Sequence, residues 1–503
     1  MSEQTSATTA GARPTGVAGA GTKEKRPGVV LVLVLALQTM LILDVNVVNI
    51  ALPDLKDALG FTPTGLSWVL SSYLLTFGGL LLLGGRAGDI LGHRKGLLVG
   101  VTVFTAASLL GGLSTSAGML LAARAIQGVG AAIAAPTVLA LIATHFTEEK
   151  ARAKALGAYA AVSGSGAAIG LIGGGLLTDW LSWRWVLFIN VPIGLVLLIL
   201  APMFIHETDR TPGSFDLGGA LSSTLGMTAL VYGFIRAAEQ GWGDGLTIGS
   251  FVAAIVLLAL FIVVENKAKQ PITPLRLFAD RNRAIGYLAL LFVMAAGNSM
   301  FFFLTQFLQE VSGFSPIKAG LAFVPLALLI LGSSSVSAKL LPRFGARVLT
   351  AVGSAAISVA LIWFAQITPS SSYVSALLGP MVIAGLGMGV LLVGVTTILF
   401  SGIKPEETGA ASGLLNVMQQ IGGALGLAVM VTVFGAASRG AEAPAGLDTK
   451  GAADYVLTEG VTAAFSWGAG FTALTILLTL VMRRMTAGGD AQQQNEQPVH
   501  AGL

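Results

Sequence analysis

The chain has 503 residues, 54% of them hydrophobic and only 11% charged, with a net charge of +4 and no cysteine. Its mean hydropathy is +0.81. Soluble globular chains carry roughly 25% charged residues, so this composition excludes a water-soluble fold and implies one polytopic membrane body. Without cysteine there are no disulfides or thiolate metal sites.

Residues 1–27 are small, polar and finally basic, and read as a disordered cytoplasmic tail. The apolar run that follows passes Asp44 without a small-residue cleavage site, so it is a retained helix and not a signal peptide. About 20 apolar residues make one span, because a helix rises about 1.5 Å per residue across a core of about 30 Å. Fourteen spans are predicted, near residues 28–53, 64–84, 96–114, 117–143, 154–178, 184–205, 216–237, 247–265, 284–309, 316–338, 347–366, 374–399, 409–434 and 457–482. The Gln-rich end, 484–503, reads as a second disordered cytoplasmic tail.

With both termini cytoplasmic, 22 of the 29 Lys and Arg residues fall on inner segments. Six fall outside (Lys56, Arg184, Arg236, Lys318, Arg439 and Lys450), and Arg124 lies within a span. This bias follows the positive-inside rule and ties the basic excess to membrane orientation, not to nucleic acid.

Residues 154–172, "KALGAYAAVSGSGAAIGLI", lie on 410–428, "AASGLLNVMQQIGGALGLA", without a gap. "DILGHRK" (89–95) has an echo in "PRFGARV" (342–348), where Gly92 meets Gly345 and Arg94 meets Arg347. Both offsets correspond to eight spans. The division expected is a six-helix half at 28–206, two inserted helices and a cytoplasmic linker at 207–283, and a second six-helix half at 284–483. The competing explanation is that helices rich in small residues resemble one another. Duplicated halves are a recurrent plan for secondary transporters.

Asp44 and Arg124 are the ionisable groups placed deepest in the predicted spans. From Asp44, Asn46 lies about 200° around the helix and Asn49 about 140°, so the first span has polar groups on two sides and must be enclosed. In the fourth span Arg124, Gln127 and Gly128 share a face, and Gly128 and Gly130 permit close approach of a neighbour. Intramembrane acids are functional by default. Desolvation disfavours a carboxylate and a nearby cation favours it, so an acid alternately wet and dry would load and unload a proton. The alternative is a static ion pair or an acid capping local backbone.

In the ninth span Asn298, Thr305, Gln306 and Gln309 fall within about 100° of one another, with Phe302 among them. That stripe suits a wall for amphipathic ligands, with a shorter counterpart in Asn416, Gln419 and Gln420 of the thirteenth. Interhelical hydrogen bonding without ligand contact explains it equally. The glycines of the fifth span, Gly166, Gly170 and Gly173 to Gly175, fit either a rocking interface or tight static packing. In the loop "GRAGDILGHRK", Asp89 is expected to accept from helix N-termini or from Arg94 as a cytoplasmic latch; a solvated turn is the alternative.

These residues resemble those of the fourteen-helix drug:proton antiporter family of the major facilitator superfamily. "LDVNVVNIALP" resembles its first-helix signature, with the acid on Asp44. "GGRAGDILGHRKG" resembles the superfamily loop motif, covering Gly85, Asp89, Gly92, Arg94 and Lys95. "RAIQGVGAA" places the family's proton-transfer arginine on Arg124. "DWLSWRWVLFINVPIG" and "LQEVSGFSPIKAGLAFVP" are similar to its sixth-helix approach and post-ninth-helix segment. Four positions, in three motifs, depart from the pattern: Asn46 replaces threonine, Ile90 and His93 replace arginines, and Leu171 replaces the proline of the helix-five motif.

The resemblance implies an all-α major facilitator fold and a proton-coupled antiporter exporting hydrophobic or cationic amphipathic compounds by alternating access. Asp44 and Arg124 would couple protons. Asn46, Asn49, Gln127, Asn298, Phe302, Thr305, Gln306, Gln309, Asn416 and Gln420 would line the substrate cavity. Gly85, Asp89, Gly92, Arg94, Lys95, Gly166, Gly170, Gly174 and Gly175 would form the switch. The expected partners are an amphipathic small molecule, protons and the lipid bilayer of the cell membrane, with the protein monomeric. With Leu171 in place of proline, proton-coupled import on the same fold is the alternative. A lipid-modifying membrane enzyme is the other. His93, His145, His206 and His500 are scattered without metal-ligand spacing, and no GxxxxGK[ST] loop occurs. No enzyme activity, metal, cofactor, ATP or nucleic acid is therefore expected.

Overall fold

The computed structural model describes residues 27–208, 210, 215–268, 275–403 and 407–482, and the described chain is helical with no strand. The two tails expected at 1–27 and 484–503 lie outside the described residues apart from Pro27, as do parts of the 207–283 connection. The first eight spans are α1 Pro27–Ile50, α2 Trp68–Leu91, α3 His93–Gly112, α4 Ala117–His145, α5 Glu149–Trp180, α6 Asn190–Phe204, α7 Leu217–Gln240 and α8 Gly245–Lys267. Then follow α9 Arg281–Gln306, a continuous helix Val324–Phe364, α12 Leu378–Phe400, α13 Thr408–Gly440 and α14 Thr449–Val481.

The helix Val324–Phe364 has 41 residues. At about 1.5 Å per residue it would be roughly twice the thickness of a bilayer core. Gly345 interrupts it with φ 77° and ψ 158°, dividing it into α10 (324–344) and α11 (346–364). Among the described residues, twelve helices are long and apolar enough to cross a membrane, and α5, bent by 45° between Gly166 and Ala168, makes a thirteenth. Separating α10 from α11 brings the spans to fourteen.

The break at Gly345 has a counterpart. Gly92, with φ 104° and ψ 139°, alone separates α2 from α3. These left-handed φ values are open to glycine and strained for other residues. Just beyond each glycine an arginine holds the end of a helix. Arg94 Nη2 donates to the Pro202 carbonyl near the end of α6 at 3.1 Å. Arg347 donates from Nε and Nη2 to the carbonyls of Thr479 and Leu480 at the end of α14 at 2.8 and 2.6 Å. The weak sequence echo thus corresponds to one three-dimensional device used twice.

This geometry separates Asp89 from Arg94, one of the two partners expected for it. The stretch "GRAGDILGHRK" is helical apart from Gly92, so Asp89 and Arg94 sit on different helices. Asp89 lies 3.9 Å from Arg86 and 3.5 Å from His93. The Arg94 amide donates instead to Glu207 at 3.0 Å. Gly92 turns the chain so that Arg94 faces α6 and not the last turn of α2.

The first six spans pack together, the last six pack together, and α2 meets α13 while α5 meets α10 along the seam. The α7–α8 pair sits over that seam. Thr432 of α13 donates to the Phe234 carbonyl of α7 at 2.7 Å, and Thr64, just before α2, donates to Glu239 at 2.8 Å. Outward positions of α8, including Val252, Ile255, Val256 and Ile262, are exposed and apolar. In water such a belt would be an aggregation surface; around a bundle of spanning helices it is the surface that lipid wets.

Candidate functional site

Asp44 sits on α1 six residues before its end, about 9 Å from the face of the bundle opposite the termini. Its side chain is fully buried, as is that of Arg124 on α4, and Arg124 Nη1 lies 2.5 Å from Asp44 Oδ2. Gln127 Nε2 and Asn190 Nδ2 both donate to the other oxygen, Oδ1, at 3.0 and 2.9 Å. The carboxylate of α1 is thus held by groups from two other helices, α4 and α6. Such saturation is what makes a buried charge tolerable, since an unpaired ion in the interior costs several kcal/mol.

Arg124 has further anchors that carry no charge. Its Nε donates to the Val69 carbonyl of α2 at 3.1 Å and its Nη1 to Gln127 Oε1 at 2.9 Å. Its guanidinium lies 4.5 Å from the centre of the Tyr73 ring. Gln127 also donates to Ser108 of α3 at 2.7 Å.

The local sequence explains the convergence. Arg124 and Gln127 are three apart on one face of α4, while Gly128 and Gly130 bring its backbone against two neighbours. A Cβ on Gly128 would lie 2.6 Å from the Tyr73 carbonyl of α2, and one on Gly130 would lie 2.6 Å from the Phe104 amide of α3. On α6, Gly194 lets the helix press onto Thr105 of α3, one turn beyond Asn190. Asn190 is fully buried, although the sequence marks it only as a polar residue within "FINVPIG". Ser108 and Tyr73 likewise give no sequence signal beyond being a small polar and an aromatic residue in apolar spans.

The polar residues expected along a cavity are dispersed. Asn46 donates to the Ile42 carbonyl of its own helix at 2.8 Å, and its Cβ faces Gly170. Asn49 is 8% exposed, and its Oδ1 is buried without a partner. On α9, Phe302 and Thr305 are buried, Phe302 edge-on to Phe303 and Thr305 donating to the Phe301 carbonyl at 2.8 Å. Gln306 is buried, with Nε2 unpartnered. Gln309 donates to the Ile50 carbonyl of α1 at 2.8 Å. Residues Phe307–Val311 form a π-turn, which turns Gln309 off the face that the regular 100° repeat assigns to it. Asn298 lies against Gly423 of α13, and Gln420 against Gly78 of α2. Asn416 donates to the Ser412 carbonyl of its own helix at 2.9 Å.

Gly166, Gly170 and Gly174 form one face of α5, pressed onto Ile42, Asn46 and Val47 of α1. Gly175 faces the other way, where a Cβ would lie 2.7 Å from Ile317 Cα and the Pro316 carbonyl. Gly320 returns that contact against Leu171, so α5 meets the second half backbone to backbone. Nearby, Lys56 Nζ lies 2.6 Å from Glu310 Oε1. The two halves are therefore closed on each other at the face opposite the termini. Gly85 is near Pro136 of α4, and Lys95 is exposed at the start of α3.

A family profile for the Major Facilitator Superfamily matches residues 34–427. The chain is 40% identical over 458 residues to the puromycin resistance protein pur8 of Streptomyces alboniger, covering 90% of each. It is 41% identical to the cephamycin export protein CmcT of Amycolatopsis lactamdurans, over 82% of this chain and 86% of that protein. Among solved structures, a single-residue mutant of the nucleoside transporter NupG superposes with a TM-score of 0.64 at 13% identity, over 91% of this chain and 99% of that one.

Proposed function

This chain belongs to the major facilitator superfamily, and we propose that it exports hydrophobic or cationic amphipathic compounds, antibiotics among them, in exchange for protons. The observation that carries the reading is the Asp44–Arg124 pair, fully buried inside membrane-spanning helices, with the Gln127 and Asn190 amides on the acid and the Val69 carbonyl and Tyr73 ring on the cation. The names of the relatives, a resistance protein and an export protein, support outward transport of small molecules.

In this mechanism the ionised Asp44 draws Arg124 and Asn190 inward and ties α1 to α4 and α6. Taking up a proton removes the charge that holds the three helices together. Arg124 keeps its contacts to Val69, Gln127 and Tyr73, so the cation is not stranded. The neutral form lets α1 move, and α1 carries Ile50, the acceptor of Gln309, at its end. Proton occupancy at Asp44 thereby acts on the seal between the halves. With both termini cytoplasmic, in the cell membrane, the form described is closed to the outside. The protein acts as a monomer and needs neither ATP nor a metal.

Purified protein in liposomes, given an inside-acid pH gradient and a fluorescent lipophilic cation, tests the reading. Uptake above that of empty liposomes, lost in Asp44→Asn, is expected. Equal uptake by both proteins would remove Asp44 from the coupling role.

A further inference from the structure

Asn190 brings two functional groups to Asp44, and only one of them is used. Its Nδ2 donates to Asp44 Oδ1 at 2.9 Å. Its own Oδ1 is buried without a hydrogen-bond partner. An orphaned buried acceptor is costly and uncommon, and this one lies on the amide that touches the carboxyl. Gln127 differs, because its Oε1 is already engaged by Arg124 and its Nε2 by both Asp44 and Ser108.

A carboxylate only accepts hydrogen bonds, whereas a carboxylic acid must also donate one. When Asp44 takes a proton from water onto Oδ1, the new O–H needs an acceptor in a site built of donors. Rotating the Asn190 amide by about 180° replaces Nδ2 with the idle oxygen. The proton returns to water when the acid ionises, and the amide turns back. We propose that Asn190 is a positioning residue that serves both charge states of Asp44, donating to the carboxylate and accepting from the acid. This rests on the proton-exchange reading above and names the group that makes such an exchange workable in a site with no room for an uncompensated charge.

The surroundings allow the amide to respond to Asp44 alone. The ionisable groups facing the pair are Arg124 on α4, fixed by its neutral anchors, and Tyr73 on α2, which lies beneath the guanidinium. Among the described residues, α3 and α6 bring the neutral Ser108 and Asn190.

The test uses Asn190→Leu, which keeps the volume and removes both functions, and Asn190→Asp, which keeps an acceptor. The carboxyl infrared band of Asp44 is identified by its loss in Asp44→Asn and followed in the purified full chain as pH is varied. In wild type the band of the acid is expected at the lower frequency of a hydrogen-bonded carbonyl acid. In Asn190→Leu it moves to the higher frequency of an unbonded one, and the pH profile of exchange moves to higher pH because the charged form loses the stronger bond. Asn190→Asp retains the bonded frequency. An Asp44 band that titrates identically in wild type and Asn190→Leu overturns this proposal alone. An Asp44 band that never appears at any pH overturns both it and the proton-exchange reading.

Discussion

Lys56 and Glu310 are 254 residues apart in sequence, yet their side chains meet at 2.6 Å and join the two halves at the face opposite the termini. Each is about one-fifth exposed, so the pair is partly screened and contributes on the order of 0.2–1 kcal/mol. Beside it, Gln309 on the Ile50 carbonyl, Gly175 against Pro316 and Ile317, and Gly320 against Leu171 supply a neutral, closely packed seal. The ion pair biases a state that packing makes available.

The bias is measurable because the chain has no cysteine of its own. With Asn49→Cys as reporter beneath the seal, Lys56→Glu is expected to speed labelling by an impermeant maleimide up to about fivefold, the equivalent of roughly 1 kcal/mol. The swap Lys56→Glu with Glu310→Lys restores the slower rate. Labelling that stays fast in the swap would show that the pair is not what holds the face closed.

Gly175→Ala and Gly174→Ala separate the two roles of the α5 glycines. A Cβ at residue 174 meets Val47 of α1 within the first half, while one at 175 meets Pro316 and Ile317 of the second. Overpacking of this kind costs about 1–3 kcal/mol. Gly175→Ala is expected to open the sealed face, read by the same reporter, with little loss of thermal stability. Gly174→Ala is expected to lower the melting temperature without changing the reporter. Identical behaviour of the two variants would refute the assignment.

Arg124→Leu leaves the Asp44 carboxylate buried without its cation. Removing one partner of such a pair destabilises by about 3–5 kcal/mol. Adding Asp44→Asn to it should recover most of that loss in a thermal melt, because the orphaned charge is then gone. A double variant as unstable as Arg124→Leu would place the damage in lost packing on Tyr73.

On the surface helix Leu52–Leu59, burial, then Asp57 and Asp179, raise the Asp54 carboxyl above its ordinary 3.8. Ionisation is thus harder in the folded protein, so stability falls as pH rises from 3.8 through the raised value and stays lower above it. Asp54→Asn should therefore raise the melting temperature at neutral pH and give no gain below pH 3.8. A gain that persists at the acid end would rule out ionisation as its source.

The sequence alone determined the solvent, the span count and the two buried charges. These are one-dimensional properties: apolar length matches bilayer thickness, and an ionisable residue inside such a run stands out against its neighbours. The glycine spacing of α4 and α5 was also legible, because a residue without a side chain has one direct consequence for how near a neighbour comes. What only the tertiary structure decided is which groups share a point in space. Asn190 looks ordinary in its segment, and its importance appears only when α6 is set against α1 and α4. The ninth-span stripe keeps its regular 100° repeat from Asn298 to Gln306, and the π-turn that begins at Phe307 moves Gln309 off it and onto the Ile50 carbonyl. Helix N-termini and Arg94 were both open as partners for Asp89, and the positive-φ glycine between them leaves Asp89 beside His93 at the start of α3 and turns Arg94 towards α6. Periodicity along a helix is local physics, whereas the pairing of side chains depends on how helices distant in sequence are rotated and pressed together.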